Sequence, residues 1–572
     1  MSLFTDASLV LIPSGVKIGT AYSIKPTDGT GDLTFTRSND TATRIGSDGL
    51  IQKVYTNVLL QSNTFTTSWG LSGTTITSGQ TGYDGLSDAW LLSKDAFISR
   101  YIFQYLSFSG LKTFSVFAKA NTLNNVRLYS TTGTSSTADF SLVDGSLLAS
   151  ANILGSSSED LGNGWWRFSI TTDGTSSLFR IYPDPDGTTA GSIYFQNAQL
   201  ETGDIATQYL ATTTAAVSVG PVANTPRLDY SGGATCPKLL LEPQRTNLMT
   251  FSESFDNADW SLINATITPN ADISPDGYTN ADRIYDDAAS TQHRVSQNVS
   301  VVSATTYTFS VFAKKGSLRY CYLLTNAAGS SERYYFDLQD GVSITAGGKI
   351  EDYGSGWYRI SAQVTADATG NCLFTFNLND SPSGTTYSGT GTGYHMIYGY
   401  QVEAGSYITS YIPTIAATTK GADSCSKTGI SSLFGATATT FVLDFVKKQN
   451  ALGWTITGSN GSKLFSIAQF DTLAGYPRVV FDDGVDTGSS LAVLSNGRHK
   501  IAVSYATNDT RVYIDGTLVL TDTSCTYYQM DRIGANATAW TGFTNNNLAF
   551  EINQFLMIPA ATTNAQLAEL TA

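Results

Sequence analysis

Two nearly identical octapeptides, TFSVFAKA at Thr113–Ala120 and TFSVFAKK at Thr308–Lys315, decide the fold of this chain. In the first copy, Phe114, Val116 and Ala118 alternate with the residues of a mixed face, which are Ser115, Phe117 and Lys119. An alternation with a period of two predicts a β-strand with one buried, apolar face. The same strand therefore occurs twice in one chain.

Three further pairs of segments accompany the octapeptide, in the same order in both copies. They are TNVLLQSNTFTTSW (56–69) with TNLMTFSESFDNADW (246–260), DLGNGWWRFSI (160–170) with DYGSGWYRISA (352–362), and AQLETGDIATQYL (198–210) with YQVEAGSYITSYI (400–412). All the pairs are separated by roughly 190–200 residues, so we expect one domain of about 155–165 residues to be present twice, with a connector between the copies.

The composition is that of a folded chain rich in β-structure. The 572 residues are 41% hydrophobic, 12% aromatic and 14% charged, with 52 glycines. A chain of this length predicts three or four domains. Helical periodicity is nearly absent, and strands separated by turn signals every ~8–12 residues are typical of two-sheet sandwiches.

Charge and hydropathy argue against several classes of partner. The formal net charge is −14 and no cluster of Lys and Arg occurs, so nucleic acid is not expected as a ligand. No stretch approaches the ~18 apolar residues of a membrane span, and the first residues lack the features of a signal peptide. The wide spacing of the five cysteines predicts free thiols, although Cys321 and Cys372 could meet within one copy.

The ordered segments resemble those of a known class of module. The series RTNL, SF, W, TFSVFAKK, GWYRI and QVEAGSYITSYIPT is similar to the carbohydrate-binding-module-like jelly rolls of phage tail and head fibre-type virion proteins. Residues 9–52 resemble the leader that precedes such modules, and residues 224–248 resemble the connector that leads into them. The first module follows the leader directly, which suggests a duplication inserted into the usual arrangement.

The last part of the chain has a different pattern. Four segments read as strands, and ATTNAQLAELTA reads as a terminal helix capped at Thr562, Thr563 or Asn564; the strand segments are TTFVLDFV (439–446), RHKIAVSYA (498–506), DTRVYIDGTLVL (509–520) and AFEINQFLMI (549–558). This order is similar to laminin-G or concanavalin A-like lectin domains, except that Arg498 stands where those domains carry Trp before His499.

Together these patterns predict an all-β, multidomain chain with two homologous jelly-roll β-sandwiches followed by a concanavalin/laminin-G-like β-sandwich. The predicted segments are a leader (1–54), module 1 (55–214), a connector (215–244), module 2 (245–415), a linker (416–429) and the lectin-like domain (430–572).

Carbohydrate binding needs aromatic faces that stack on sugar rings. Tryptophans present in both copies are expected in the core; these are Trp69, Trp260, Trp165 and Trp357. The candidates for contact with a sugar are Trp90, Trp166, its counterpart Tyr358, and Trp540.

Glu201 and Glu403 are the candidate metal ligands, because each lies in the last strand of its module, where carbohydrate-binding jelly rolls can hold a structural Ca²⁺. A hydrogen bond to the neighbouring strand is the alternative. The loop YPDPDGTT (182–189) has carboxylates before a Gly, as part of a calcium loop does, and a solvated turn is its alternative. No cofactor is required by any motif, and no catalytic residue is assigned.

The leading hypothesis is a non-enzymatic virion surface protein, a phage fibre or decoration subunit that binds a bacterial surface glycan through repeated modules. It would be assembled in the host bacterial cytoplasm, contact other virion proteins through residues 1–54, and form a homo-oligomer, with a trimer favoured and without insertion into a membrane. A purely structural spacer without a glycan ligand is one alternative. A polysaccharide depolymerase is the other.

Overall fold

A computed structural model shows the fold of the chain. It describes residues 3–131, 133–447 and 494–535, the backbone of 454–458, 464–470, 477–482 and 487–490, and residues 550–572. The chain divides into two compact units, residues 54–220 and residues 1–53 together with 221–572. Within the described residues, no helix is long and apolar enough to cross a membrane.

Module 1 is a sandwich of two antiparallel sheets. From edge to edge, its first sheet contains Gly155–Gly162, Trp165–Thr172, Lys112–Ala120, Gly191–Thr202, Ala89–Lys94 and Thr74–Gln80. Its second sheet contains Leu147–Ala151, Ser135–Ser141, Asn125–Thr131, Ser176–Pro183, Tyr101–Phe108 and Gly70–Ser72. The octapeptide strand thus lies in the middle of the first sheet.

Module 2 repeats this arrangement strand for strand. Its first sheet contains Lys349–Asp352, Trp357–Thr365, Thr306–Lys315, Tyr394–Ala404, Thr279–Asp286 and Ala265–Ile273. Its second sheet contains Val342–Ser343, Glu332–Asp337, Tyr320–Thr325, Gly370–Asn379, His293–Val301 and Ser261–Ile263, and a two-stranded sheet joins Ser290–Thr291 to Tyr387–Ser388. The predicted duplication of a sandwich is confirmed.

The octapeptide strand differs from its prediction in one respect, because both of its faces are buried. Phe117 lies in a small separate cluster with Trp165, against which Tyr209 packs. Ser115 is fully buried and accepts a hydrogen bond from Arg167 Nη2 at 3.1 Å. A segment after the last strand covers the mixed face, which periodicity alone could not indicate.

The C-terminal sandwich recruits strands from three distant parts of the chain. One sheet contains Arg227–Asp229, Lys238–Leu241, Phe550–Ile558, Ala438–Lys447, Gly497–Ala506, Thr510–Ile514 and Thr517–Asp522, with Leu9–Leu11 also paired to Phe550–Ile558. The other contains Val16–Lys17, Thr20–Ala21, Leu33–Thr36, Ser424–Thr428, Met530–Ala535, Trp454–Gly458, Leu464–Phe470, Pro477–Asp482 and Thr487–Ser490. The segments predicted as leader, connector and linker therefore supply strands of this sandwich.

In each module, a short strand near the first residue pairs with a short strand near the last residue. Tyr55–Asn57 pairs with Val217–Val219 in module 1, and Arg245–Asn247 pairs with Thr418–Lys420 in module 2. Each module therefore starts and ends at neighbouring strands, as an inserted domain does. Both modules are insertions into the sequence of the C-terminal sandwich, which agrees with the expected insertion of a duplicate.

A group of buried charges, here called the junction cluster, joins the leader, connector and linker; its members are Arg37, Arg227, Glu242, Lys420 and Asp423. Arg37 Nη1 lies 3.1 Å from Asp423 Oδ1, and Arg227 Nη1 lies 2.8 Å from Glu242 Oε2. Arg227 also binds Asp423. Burial acts to raise the pKa of Glu242, but Arg227 and Lys420 hold that pKa well below its usual range.

The remaining elements are short. The helices are Leu3–Asp6, the 3₁₀ turn Ser431–Leu433 and Asn564–Thr571, and a small hairpin joins Arg44–Ile45 to Ile51–Gln52. Thr563 caps the last helix in a capping box with Gln566, which settles the choice among the three predicted caps. The turn at Asp515 and Gly516 has positive φ at both residues, as a tight hairpin requires.

Candidate functional site

The structure places Trp90 inside module 1 rather than on a surface. Only 9% of the residue is exposed, its Nε1 donates to the Asn63 carbonyl at 3.0 Å, and its ring packs edge-on against Phe65. Trp90 was a candidate for sugar contact because the second copy has no matching tryptophan, but this difference between the copies does not make the residue exposed. Trp540 lies outside the described residues.

Trp166 and Tyr358 occupy equivalent positions and are partly buried. A Cβ at Gly145 would clash with the Trp166 ring, and a Cβ at Gly341 would lie 2.8 Å from Tyr358. Both glycines have positive φ, so each aromatic ring covers a turn that requires glycine. This shared contact gives both rings a structural role.

The four tryptophans expected in the core are all buried: Trp69, Trp165, Trp260 and Trp357. The indoles of Trp69 and Trp260 both donate to main-chain carbonyls of the preceding loop. The equivalent positions therefore serve the common fold.

Glu201 and Glu403 are fully buried and hydrogen-bonded in the same way. Glu201 Oε1 accepts from Gln199 Nε2 at 2.8 Å and from Thr207 N at 2.9 Å. Glu403 accepts from Thr409 N at 2.8 Å and from its hydroxyl at 2.7 Å. Burial raises the pKa of both carboxyls. Thr207 and Thr409 lie in the turn after the last strand, and Gln199 lies in the strand itself. Both carboxylates are thus hydrogen-bonded, but to these groups and not to the neighbouring strand that the alternative predicted.

A lysine occupies the acidic loop that resembles part of a calcium site. Lys94 Nζ donates to the Asp184 carbonyl at 3.0 Å and to the Gly187 carbonyl. Asp186 instead accepts from Arg127 Nη2 at 2.9 Å. Across the described residues, no group of three or more His, Cys, Asp or Glu could hold a metal ion. The Lys94 ammonium and the Arg127 guanidinium thus supply the positive charge at this loop.

The free-thiol prediction is confirmed for all five cysteines. His499 is held between Asp515 Oδ2 at 2.6 Å and the Ser495 carbonyl at 2.9 Å, which gives this residue a structural role.

The outer side of the second sheet in module 1 carries a group of side chains that the tryptophan-based reasoning missed. We call it the aromatic face. It consists of Tyr101, Phe103, Tyr105, Tyr129, Arg180 and Tyr182. Tyr101, Phe103 and Tyr105 alternate along one strand, and strand alternation therefore places them on one side. In the sequence, the aromatic residues of YIFQYLSF (101–108) and FRIYP (179–183) indicate this group.

An arginine forms the centre of the aromatic face. The Arg180 guanidinium lies 4.4 Å from the centroid of the Tyr101 ring and 4.5 Å from that of Tyr129. Its Nη1 donates to the Tyr182 hydroxyl at 2.8 Å. Cation–π contacts on both sides fix a planar donor group between two rings.

The aromatic rings continue from this centre toward solvent. Phe103 lies 5.7 Å from Tyr101 and 5.2 Å from Tyr105, measured between ring centroids. Gly70 leaves room for the Phe103 ring, since a Cβ there would clash with it. Tyr105 is 72% exposed. The face therefore offers apolar ring surface beside fixed polar donors, which is the chemistry that sugars require.

The unit of residues 1–53 and 221–572 contains a small polar cleft. Its volume is about 50 Å³, and its lining includes Arg44, Asp229, Glu242, Glu351 and Arg359. A space of this size accommodates a few water molecules.

Comparison with known proteins adds the following findings. No protein-family model matches the chain, and no curated protein matches it. Among solved structures, the chain is similar to the N-terminal CBM22-1-CBM22-2 tandem domain from Paenibacillus barcinonensis Xyn10C, with 10% sequence identity, coverage of 61% of this chain and 97% of that chain, and a TM-score of 0.19.

Two other similarities are with the LG1-3 region of the laminin alpha2 chain and a mutant sialidase from Trypanosoma rangeli. The laminin region has 10% identity, coverage of 81% of this chain and 96% of its own, and a TM-score of 0.17. The sialidase has 9% identity, coverage of 93% and 97%, and a TM-score of 0.21. These TM-scores are low, so the all-β sandwich fold rests on the sheets of this chain itself.

Proposed function

We propose that this chain is a non-enzymatic, glycan-binding protein of a phage virion surface, either a fibre or a decoration subunit. The ordered segments that resemble virion modules support the setting. The aromatic face of module 1 is the observation that carries the binding function.

The chemistry of the face fits a sugar polymer better than a small apolar ligand. An open row of rings can stack on the apolar sides of successive sugars, and the guanidinium of Arg180 can donate to hydroxyl groups. Binding of this kind is weak for a single contact, and repetition on one particle would raise the avidity.

The surroundings of the face support binding without hydrolysis. Glycoside hydrolysis uses two carboxyl groups placed about 5–10 Å apart on either side of the bond. Asp139 and Asp186, which lie beside this sheet, are both ion-paired with Arg127, at 2.5 and 2.9 Å respectively. Both carboxylates are therefore bound to one guanidinium group and do not form a pair on either side of a glycosidic bond.

Binding of the full chain to an array of bacterial polysaccharides tests the proposal. We expect saturable binding without release of reducing ends, and about tenfold weaker binding for Tyr105→Ala, because an exposed stacking ring is lost. Phe97→Ala is the matched control, since Phe97 is 64% exposed in a loop of the same module.

The outcome separates the three candidate functions. No binding to any polysaccharide would favour a structural spacer, and newly released reducing ends would favour a depolymerase. Equal losses in both variants would mean that the aromatic face is not the binding surface.

The virion setting and the trimer need separate measurements. Labelling of purified phage particles with an antibody against the chain should mark the particle surface, and light scattering should give three times the chain mass. A particle without label would contradict the setting, and a monomeric mass would contradict the trimer.

A further inference from the structure

Module 2 carries a second candidate surface at the position of the aromatic face, but its chemistry is different. Equivalent ring pairs in the cores fix the correspondence: Phe114 and Phe179 lie 5.5 Å apart in module 1, and Phe309 and Phe374 lie 5.3 Å apart in module 2. We call the second surface the polar face. It consists of Arg294, Tyr322, Arg333, Tyr335, Thr375 and Asn377.

Four of these side chains form one row across four strands. The register pairs Arg294 with Asn377, Asn377 with Tyr322, and Tyr322 with Tyr335. The neighbouring residues on each strand point into the core, so the row lies on the outer side of the sheet. The Tyr322 and Tyr335 ring centroids are 5.0 Å apart, which shows that the rings contact each other.

Neither arginine of the polar face has an acidic partner among the described residues. Arg294 Nη1 donates to Gln292 Oε1 at 3.2 Å, and Arg333 Nη1 donates to the Ser331 carbonyl at 3.4 Å. In the part of the chain that the structure describes, no carboxylate lies within 4.0 Å of either guanidinium. Their Nε atoms are buried and make no hydrogen bond to a described residue.

The corresponding row of module 1 is neutralised. There Arg127 occupies the strand position of Tyr322 and forms a bidentate ion pair with Asp139, at 2.5 and 2.7 Å. In module 2 both positions are tyrosines, and the positive charge has moved to Arg294 and Arg333. The two modules therefore share the sandwich fold but differ in the charge on the outer side of this sheet.

A buried acceptor lies between the charged groups. Asn377 is fully buried, and its amide nitrogen donates to the Tyr322 carbonyl at 3.3 Å and to the Thr375 hydroxyl. Its Oδ1 has no hydrogen-bond partner among the described residues. A buried carbonyl oxygen without a donor from the protein favours an ordered water molecule beside it.

The charges also act on the central tyrosine. Burial raises the pKa of Tyr322 to about 12, while Arg333 and Arg294 act in the opposite direction.

We propose that the polar face binds an acidic polysaccharide, with sugar carboxylates held by Arg294 and by Arg333 and a sugar ring placed against Tyr335. This proposal rests on the proposed glycan-binding function and gives module 2 a ligand class of its own. The two homologous modules then recognise different sugars of one polysaccharide or of two.

The test measures binding of the full chain to polygalacturonate, alginate and polysialic acid, each beside its carboxyl-reduced form. Binding to an acidic polymer should be at least tenfold tighter than binding to its reduced form and should weaken with salt. Arg294→Gln and Arg333→Gln should each weaken it about tenfold, as expected for a lost charged hydrogen bond. The first two polymers carry uronic acids and the third a nine-carbon acidic sugar, so the pattern also identifies the source of the carboxylate.

Lys349→Gln is the matched control, because it removes one exposed positive charge from the other sheet of the same module. Binding to none of the acidic polymers, equal binding to the reduced forms, or an equal effect of Lys349→Gln would overturn the proposal. Tyr105→Ala distinguishes the two surfaces. If it abolishes all glycan binding while the arginine variants retain it, the polar face is refuted and the aromatic face stands.

Discussion

Glu201 and Glu403 occupy the same position in the two modules and accept the same hydrogen bonds from the turn that follows the last strand. The pairing itself was visible in the sequence, and it indicated a shared role. Whether that role was structural or metal-binding depended on donors six residues further along, whose approach is set by the fold.

His395 is the residue with the clearest dependence on pH. It is fully buried in module 2, where Nε2 bonds to the Tyr320 carbonyl at 2.9 Å and Nδ1 accepts from Gly316 N at 3.4 Å. Burial lowers the pKa of His395 to about 4. Because the unfolded chain binds the proton more readily, this group reduces stability as pH falls from about 6.5 toward 4.

We expect this histidine to cost about 2 kcal/mol of unfolding free energy between pH 8 and pH 5. Urea unfolding of the full chain and of His395→Gln at both pH values measures the difference. The variant should lose that part of the pH dependence, whereas His499→Gln should retain it. An unchanged dependence in the first variant would contradict the assignment.

At the scale of elements, the junction cluster holds three separate segments of chain together. Asp423 accepts from Arg37 and Arg227 and from the main-chain nitrogen of Glu242 at 2.9 Å. Removal of one partner from a buried ion pair leaves an uncompensated charge, which is more costly than loss of a surface pair.

Asp423→Asn should therefore destabilise the unit that contains the C-terminal sandwich by about 3–5 kcal/mol. Calorimetry of the full chain should show a lower melting temperature for that unit. Asp522→Asn is the control, because Asp522 caps a surface turn and an asparagine can make the same bond to Ser524 N. Equal melting temperatures in the two variants would show that the cluster contributes little.

The strand elements themselves were largely predictable, since they follow from alternation and turn residues. The aromatic face was predictable in part, because Tyr101, Phe103 and Tyr105 alternate within one strand. Its centre was not, because Tyr129 and Arg180 come from two other strands and meet only through the register of the sheet. For Trp90 the prediction was wrong: the residue was expected at a contact surface because the other copy has no matching tryptophan, but it is buried.

At the scale of the whole molecule, the C-terminal sandwich is built from segments at both ends of the chain. Leu9–Leu11 and Lys238–Leu241 pair with different parts of the same strand, Phe550–Ile558. Leu9, Leu33 and Phe35 are fully buried in its core. Residues 1–54 therefore have a structural role in this sandwich, whatever they contact on a particle.

Deletion of residues 1–53 should prevent the C-terminal sandwich from folding, since two sheets would lose strands and core residues. Residues 54–220 expressed alone should fold, because they form a compact unit with its own core. Limited proteolysis and circular dichroism of both fragments test this expectation. A protease-resistant C-terminal sandwich in the deletion variant would contradict it.

The sequence by itself determined the all-β class, the duplicated sandwich and the core tryptophans, because each depends on local periodicity or on comparison of one copy with the other. Only the tertiary structure decided that the leader and connector complete the C-terminal sandwich and that Arg294 and Arg333 share one side of a sheet, where neither has an acidic partner among the described residues. Pairing between strands hundreds of residues apart depends on register and on buried surface from the whole chain. No local pattern records those quantities.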